Sequence, residues 1–205
     1  MATIVALGDS TTAGTPGFQS PVEAPPDGAG NVESQFAYWL MQAHPDWRVL
    51  NRGVNGERAD EIGARFARDV AAARPDVVVI IAGVNDVYQG RKADAVQRDL
   101  AAIYVAARAA KIPIVAGSII PYNTASEAQN QAMRAVNGWI RAQADAHADS
   151  MVFCDTRAAV AEPGAPDRLV SSPDDLHPSP EGYKLMAAAL DPAIVAALAK
   201  ARALR

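Results

Sequence analysis

The run "VVVIIAGV", Val77 to Val84, places the tightest limit on what this chain can fold into. A strand with one wet face alternates apolar and polar residues. Eight successive positions without a polar side chain instead read as a strand covered on both faces, the habit of parallel sheets. Four further β-like runs accompany it: Thr3 to Leu7, Trp47 to Asn51, Ile112 to Ile119 and Met151 to Cys154, with the central one extending over Asp76 to Ala82. Helical spacing fills the gaps at about Glu33 to His44, Ala59 to Arg74, Ala93 to Ala110 and Ala125 to Ala148. A last pair is expected over Pro180 to Leu190 and Pro192 to Leu204, with Asp191 as N-cap and Pro192 in the first turn. Strands alternating with helices predict an α/β, three-layer fold. Its centre is a doubly wound, five-stranded parallel sheet in the flavodoxin-like order 2-1-3-4-5, with helices on both faces.

At 205 residues one domain, 1–205, accounts for the whole chain. Half the residues are apolar and a fifth charged, with 19 Lys and Arg scattered against 23 Asp and Glu. No basic stripe is present to neutralise phosphates, so nucleic acid is not an expected partner. Cys154 is the only cysteine, which excludes an intrachain disulfide and a thiolate metal cluster. The longest apolar run is too short to span a bilayer, and no basic segment with an apolar stretch precedes the first strand. Membrane insertion is therefore not expected and the cytoplasm is the expected location. Oligomeric state is open. One segment breaks the rhythm: residues 15–32 carry Pro16, Pro21, Pro25 and Pro26 with Gly17, Gly28 and Gly30. An irregular excursion of that length is either a loop over the site or a tolerated surface insertion.

Ligands of open parallel sheets bind beyond the carboxyl ends of the strands. The first strand ends in "GDST" with Ser10, the second in "NRGVNGE" with Gly56, and the third in "GVND" with Asn85. After the fifth comes "DDLHPS" with Asp174 and His177. A serine hydroxyl keeps its proton at neutral pH and needs a base to become a nucleophile. His177 can be that base, and Asp174, three residues earlier, can hold the imidazole in the required tautomer. Attack on an ester or thioester places negative charge on the carbonyl oxygen. The backbone N–H groups of Ser10 and Gly56 and the amide of Asn85 could receive it.

This set of four blocks, over residues 4 to 178, resembles the SGNH (GDSL) hydrolase family, in its lysophospholipase, thioesterase and arylesterase branch. The resemblance implies a flavodoxin-like fold, Ser10 as nucleophile, His177 as base assisted by Asp174, and Ser10, Gly56 and Asn85 as the oxyanion hole. It implies no metal and no organic cofactor. The expected activity is hydrolysis of small-molecule carboxylic or thioesters, with short acyl or aryl groups, through an acyl-enzyme.

Each residue also has a bland reading. Ser10 could cap the turn after the first strand, and Asn85 could satisfy its own loop. Asp175 competes with Asp174 as the orienting acid. His44 and His147 show what an uninvolved histidine looks like, with no partner acid at a strand end. Gly53 is expected to serve its turn, Asp9 and Asp86 to fix loops, and Cys154 to fill the core. Phe18, Tyr88 and Tyr122 could line a substrate pocket or only pack. A flavin- or nucleotide-binding module and a non-catalytic interaction protein are the alternatives on the same fold.

Overall fold

The computed structural model describes residues 1–203. Five parallel strands, β1 (Ala2–Gly8), β2 (Trp47–Gly53), β3 (Val77–Ile81), β4 (Ile114–Gly117) and β5 (Met151–Cys154), lie side by side in the order β2-β1-β3-β4-β5. This is the expected order. β1 pairs with β2 from Ala2↔Trp47 to Gly8↔Gly53, and with β3 from Ile4↔Val77 to Gly8↔Ile81. Three strand ends thus meet at Gly8, two residues before Ser10.

Successive side chains of the central strands enter opposite cores, which is why the sequence shows no alternation. Val5, Leu7, Val78 and Ile80 join one core, under α3 (Ala59–Ala64), α4 (Phe66–Asp69), α6 (Ala93–Ala109) and α7 (Glu127–Ala146). Ile4, Ala6, Val77, Val79 and Ile81 join the other, under α2 (Phe36–Ala43), α8 (Thr156–Val160) and α9 (Pro180–Ala203). Each fully buried Val or Ile contributes about 1.5–3 kcal/mol through lost contact with water. Two short helices stand at the strand ends: α1 (Ser10–Ala13) follows β1, and α5 (Val84–Tyr88) follows β3.

Three helical expectations need correction. The stretch Ala59 to Arg74 is not one helix: it breaks at Arg65 into α3 and α4 and ends in a 3₁₀ turn, Ala71–Ala73. Arg74 adopts φ +45° just before Pro75, which disfavours helical backbone in its predecessor. The segment expected from Glu33 begins instead as a 3₁₀ turn, Val32–Ser34, and α2 starts at Phe36.

The last pair is a single helix, with Pro192 inside it; Leu204, its expected end, lies outside the described residues. An interior proline costs about 3 kcal/mol. Tyr183, Met186, Leu190, Ile194 and Ala197 bury one continuous stripe across it, and that burial outweighs the lost bond. Asp191 does not cap a helix. Its carboxylate lies 2.9 Å from His44 Nε2, while the His44 ring stacks on Trp47 at 3.8 Å, so His44 does have a partner acid. Residues 180–201 are long and apolar enough to cross a bilayer by length and composition, although charged residues interrupt them and no unbroken apolar run is that long; here their inner stripe is covered by the sheet.

Segment 15–32 is tied down. Phe18–Gln19 pairs antiparallel with Ala29–Gly30, Ser20 Oγ donates to Gly53 O at 2.6 Å, and Glu23 accepts from Asn55 N at 2.8 Å. It therefore braces the turn after β2. Gly53 itself is required by close approach, since a Cβ there would lie 2.0 Å from Ala13 N. Backbone cannot yield as a side-chain tip can. Gly53→Ala is expected to cost about 3 kcal/mol of stability, read as a lowered denaturation midpoint. An unchanged midpoint would show that α1 is free to move off β2.

Asp9, between Gly8 and Ser10, is fully buried. One carboxylate oxygen caps α1 by accepting from Thr11 N at 3.0 Å; the other has no partner among the described residues. Burial disfavours its charge and, although the Thr11 bonds oppose this, pushes the carboxyl up to about 7. A folded-state value above the unfolded one means the native chain keeps a proton that the unfolded chain releases, so stability declines as pH rises from about 4 to 7. Asp9→Asn removes that slope. Its stability relative to the parent is expected to grow over the interval and level off above it; a difference independent of pH would contradict the assignment.

Candidate active site

The loop following β5 returns to the edge where β1 ends. His177 Nε2 lies 2.9 Å from Ser10 Oγ, and His177 Nδ1 lies 2.7 Å from Asp174 Oδ2. The carboxylate can only accept, so Nδ1 carries the proton and Nε2 is left to accept from the serine hydroxyl. Asp174 is held from its other side: Oδ1 accepts from His177 N at 2.8 Å and Leu176 N at 3.1 Å. Partial burial opposes its charge, but the His177 ring and these two N–H groups prevail and lower its titration below the usual carboxylate range. Ser172 Oγ donates to His177 O at 2.7 Å, closing the loop on itself. Ser10 is 3% exposed and His177 7%, so little solvent competes for their bond.

Asp175, the rival acid, turns away. It has φ +62°, and its Oδ1 accepts from Asn123 Nδ2 at 2.9 Å. The geometry therefore selects Asp174.

Ser10 opens α1, where a first-turn N–H has no acceptor within the helix. Gly56 has φ +79°, open space where a Cβ would stand, and an N–H with no acceptor among the described residues. Asn85, in the first turn of α5, donates from Nδ2 to Glu57 O at 2.9 Å. One amide hydrogen thus secures the Gly56 turn and the second is spare. Asn85 does not satisfy its own loop, contrary to its bland reading. The aromatic candidates divide. Tyr88 is 56% exposed and meets the buried Tyr122 edge-on, at 5.8 Å between ring centroids. Phe18 is buried and lines a hollow of about 290 Å³ with Gln35, Met41 and Leu50, to which neither Ser10 nor His177 contributes.

Sequence reasoning missed Arg65. It is 6% exposed and donates to Gly8 O and Arg52 O, both at 2.7 Å, to Glu57 at 2.6 Å and to Asp69 at 2.8 Å. One buried guanidinium thereby joins the ends of β1 and β2 to the Gly56 turn. Nothing in a helical pattern of alternating Ala and Arg marks one arginine as inward. Among the described residues, Asp60, Asp86 and Asp99 come close enough to share a cation, but Arg91 already donates to all three. Cys154 is buried, and burial pushes its thiol up to about 12, consistent with a core role.

Residues 6–185 match the family described as GDSL-like Lipase/Acylhydrolase. An acetylxylan esterase of Geobacillus stearothermophilus is 29% identical over 189 residues, 81% of this chain and 84% of that esterase. A G-D-S-L family protein from Desulfitobacterium hafniense superposes with a TM-score of 0.77 at 24% identity, over 94% of this chain and 99% of that one. The acetylxylan esterase structures similar to this chain include catalytic mutants in which a serine, an aspartate or a histidine is replaced by alanine. The serine mutant gives a TM-score of 0.72 at 22% identity, with 94% of each chain covered. The chain therefore belongs to the GDSL-like lipase/acylhydrolase family and is a carboxylic ester hydrolase acting on small-molecule esters.

Proposed function

We infer that this hydrolase works by double displacement, with Ser10 as nucleophile, His177 as general base and acid, and Asp174 as the orienting acid. The observation that carries this is the unbroken line of short hydrogen bonds from Asp174 through the imidazole to Ser10 Oγ. Catalytic mutants of the acetylxylan esterase at a serine, an aspartate and a histidine support it. As Oγ bonds to the carbonyl carbon, its proton passes to His177 Nε2, and the imidazolium so formed is stabilised by Asp174. The electron pair displaced onto the carbonyl oxygen meets the N–H groups of Ser10 and Gly56 and the spare amide hydrogen of Asn85. His177 then protonates the departing alcohol. Water repeats the cycle on the acyl-enzyme and restores the serine.

The ester is one with a short acyl group, a reading supported by the likeness to an esterase that removes acetyl groups from xylan. Tyr88, one turn beyond Asn85 on α5, offers an exposed aromatic face, braced by Tyr122, to line an acyl or aryl pocket. The protein should hydrolyse p-nitrophenyl acetate with a kcat/KM at least about tenfold above that for the dodecanoate, since closely shaped pockets discriminate on this scale. A preference for the longer chain would refute the short-acyl reading. Ser10→Ala should abolish turnover. Asn85→Ala should lower kcat by about 10² to 10³ with the fold intact; an unchanged kcat would remove Asn85 from the oxyanion hole.

A further inference from the structure

The residue that follows the orienting acid is strained. Asp175 holds φ +62°, a left-handed conformation that costs a non-glycine residue energy and persists only where surroundings enforce it. Those surroundings are Asn123, six residues beyond the end of β4. Its backbone N–H donates to Asp175 O at 2.8 Å, its Nδ2 donates to Asp175 Oδ1 at 2.9 Å, and its Oδ1 accepts from Leu169 N at 2.8 Å. One asparagine therefore grips the loop at both ends, before it leaves the ribbon strand Ala165–Leu169 and again between Asp174 and His177. Among the described residues, the only other side chain outside residues 170–179 that bonds into this loop is Ser10 itself.

The need for such a grip is geometric. Asp174 keeps about a third of its side chain exposed, and its bonds to His177 lie within a loop whose internal ties are those of Ser172 and Ser179. Leu176 packs against the core beside them, but among the described residues no further side-chain bond from the sheet fixes the backbone at Asp174 and Asp175. With Asp175 released, its backbone would relax towards ordinary φ values and swing Asp174 and His177 apart, because the three-residue spacing places both on the same turn.

We propose that Asn123 is a positioning residue, which through Asp175 sets the alignment of Asp174 and His177 towards Ser10. The proposal rests on the assignment of Ser10, His177 and Asp174 made above. Asn123→Ala should lower kcat about tenfold with KM within twofold, since small misplacements of catalytic groups act on the chemical step. Asn123→Asp, whose side chain retains the acceptor for Leu169 N but replaces the donor to Asp175 Oδ1 with a second carboxylate, should do the same. Asp175→Asn, which keeps a carbonyl acceptor and tolerates left-handed backbone, should stay within twofold of the parent, while Asp175→Val should resemble Asn123→Ala.

The decisive comparison repeats Asn123→Ala in an Asp174→Ala background. If Asn123 acts through the orienting acid, it should there change residual kcat less than twofold. A full tenfold loss in that background, or no loss in either asparagine variant, overturns the proposal. Parent-like activity of Ser10→Ala and Asp174→Ala would instead overturn the mechanism on which it rests, whatever Asn123 does.

Discussion

The bond between Ser10 Oγ and His177 Nε2 spans 167 positions of sequence and 2.9 Å of space, and the architecture can be understood as the means of making it. A parallel sheet sends every strand in one direction, so the carboxyl ends of β1, β2, β3 and β5 fall along one edge without any further device. Gly8 pairs with Gly53 on one side and Ile81 on the other, which sets the starts of the Ser10, Gly56 and Asn85 segments level with one another. The imidazole is the one member carried there by a long loop.

Polar groups gathered at such an edge must be satisfied or they destabilise it. Arg65 answers two carbonyls and two carboxylates with one guanidinium, Asn51 bonds Ala13 O and Gln35, and Asn85 bonds Glu57 O. Among the described residues, two of the groups left without a partner bear on the proposed reaction. Asp9 keeps a buried oxygen without a partner, and Gly56 keeps an N–H without an acceptor in an otherwise well-bonded turn. The first pushes up the pKa of the carboxyl next to Ser10; the second leaves a donor available to the oxyanion of the proposed mechanism.

The sheet order and the residues at its edge were legible because both follow from local marks: unbroken Val and Ile runs, and short motifs at strand ends. The same local rules misjudged α9, where Pro192 reads as a helix start until the apolar stripe on both sides is seen to hold one helix against the sheet. They also misjudged His44, whose acid partner lies 147 positions away. Arg65, Glu23 and Asn123 escaped notice for a related reason. Each bonds a residue distant in sequence, and a lone polar side chain carries no local sign of such a partner. Segment 15–32, read from sequence as a loop over the site or a surface insertion, contacts the turn carrying Gly56 through Ser20 and Glu23.

In the proposed mechanism it is the imidazole that makes Ser10 nucleophilic. Reaction with a fluorophosphonate followed by peptide mass mapping tests it most directly, because the reagent marks a serine only where its hydroxyl is activated. A single adduct is expected on the peptide bearing Ser10, formed at least about a hundredfold more slowly in His177→Ala. An adduct on another residue, or labelling of Ser10 at the parent rate without His177, would contradict it.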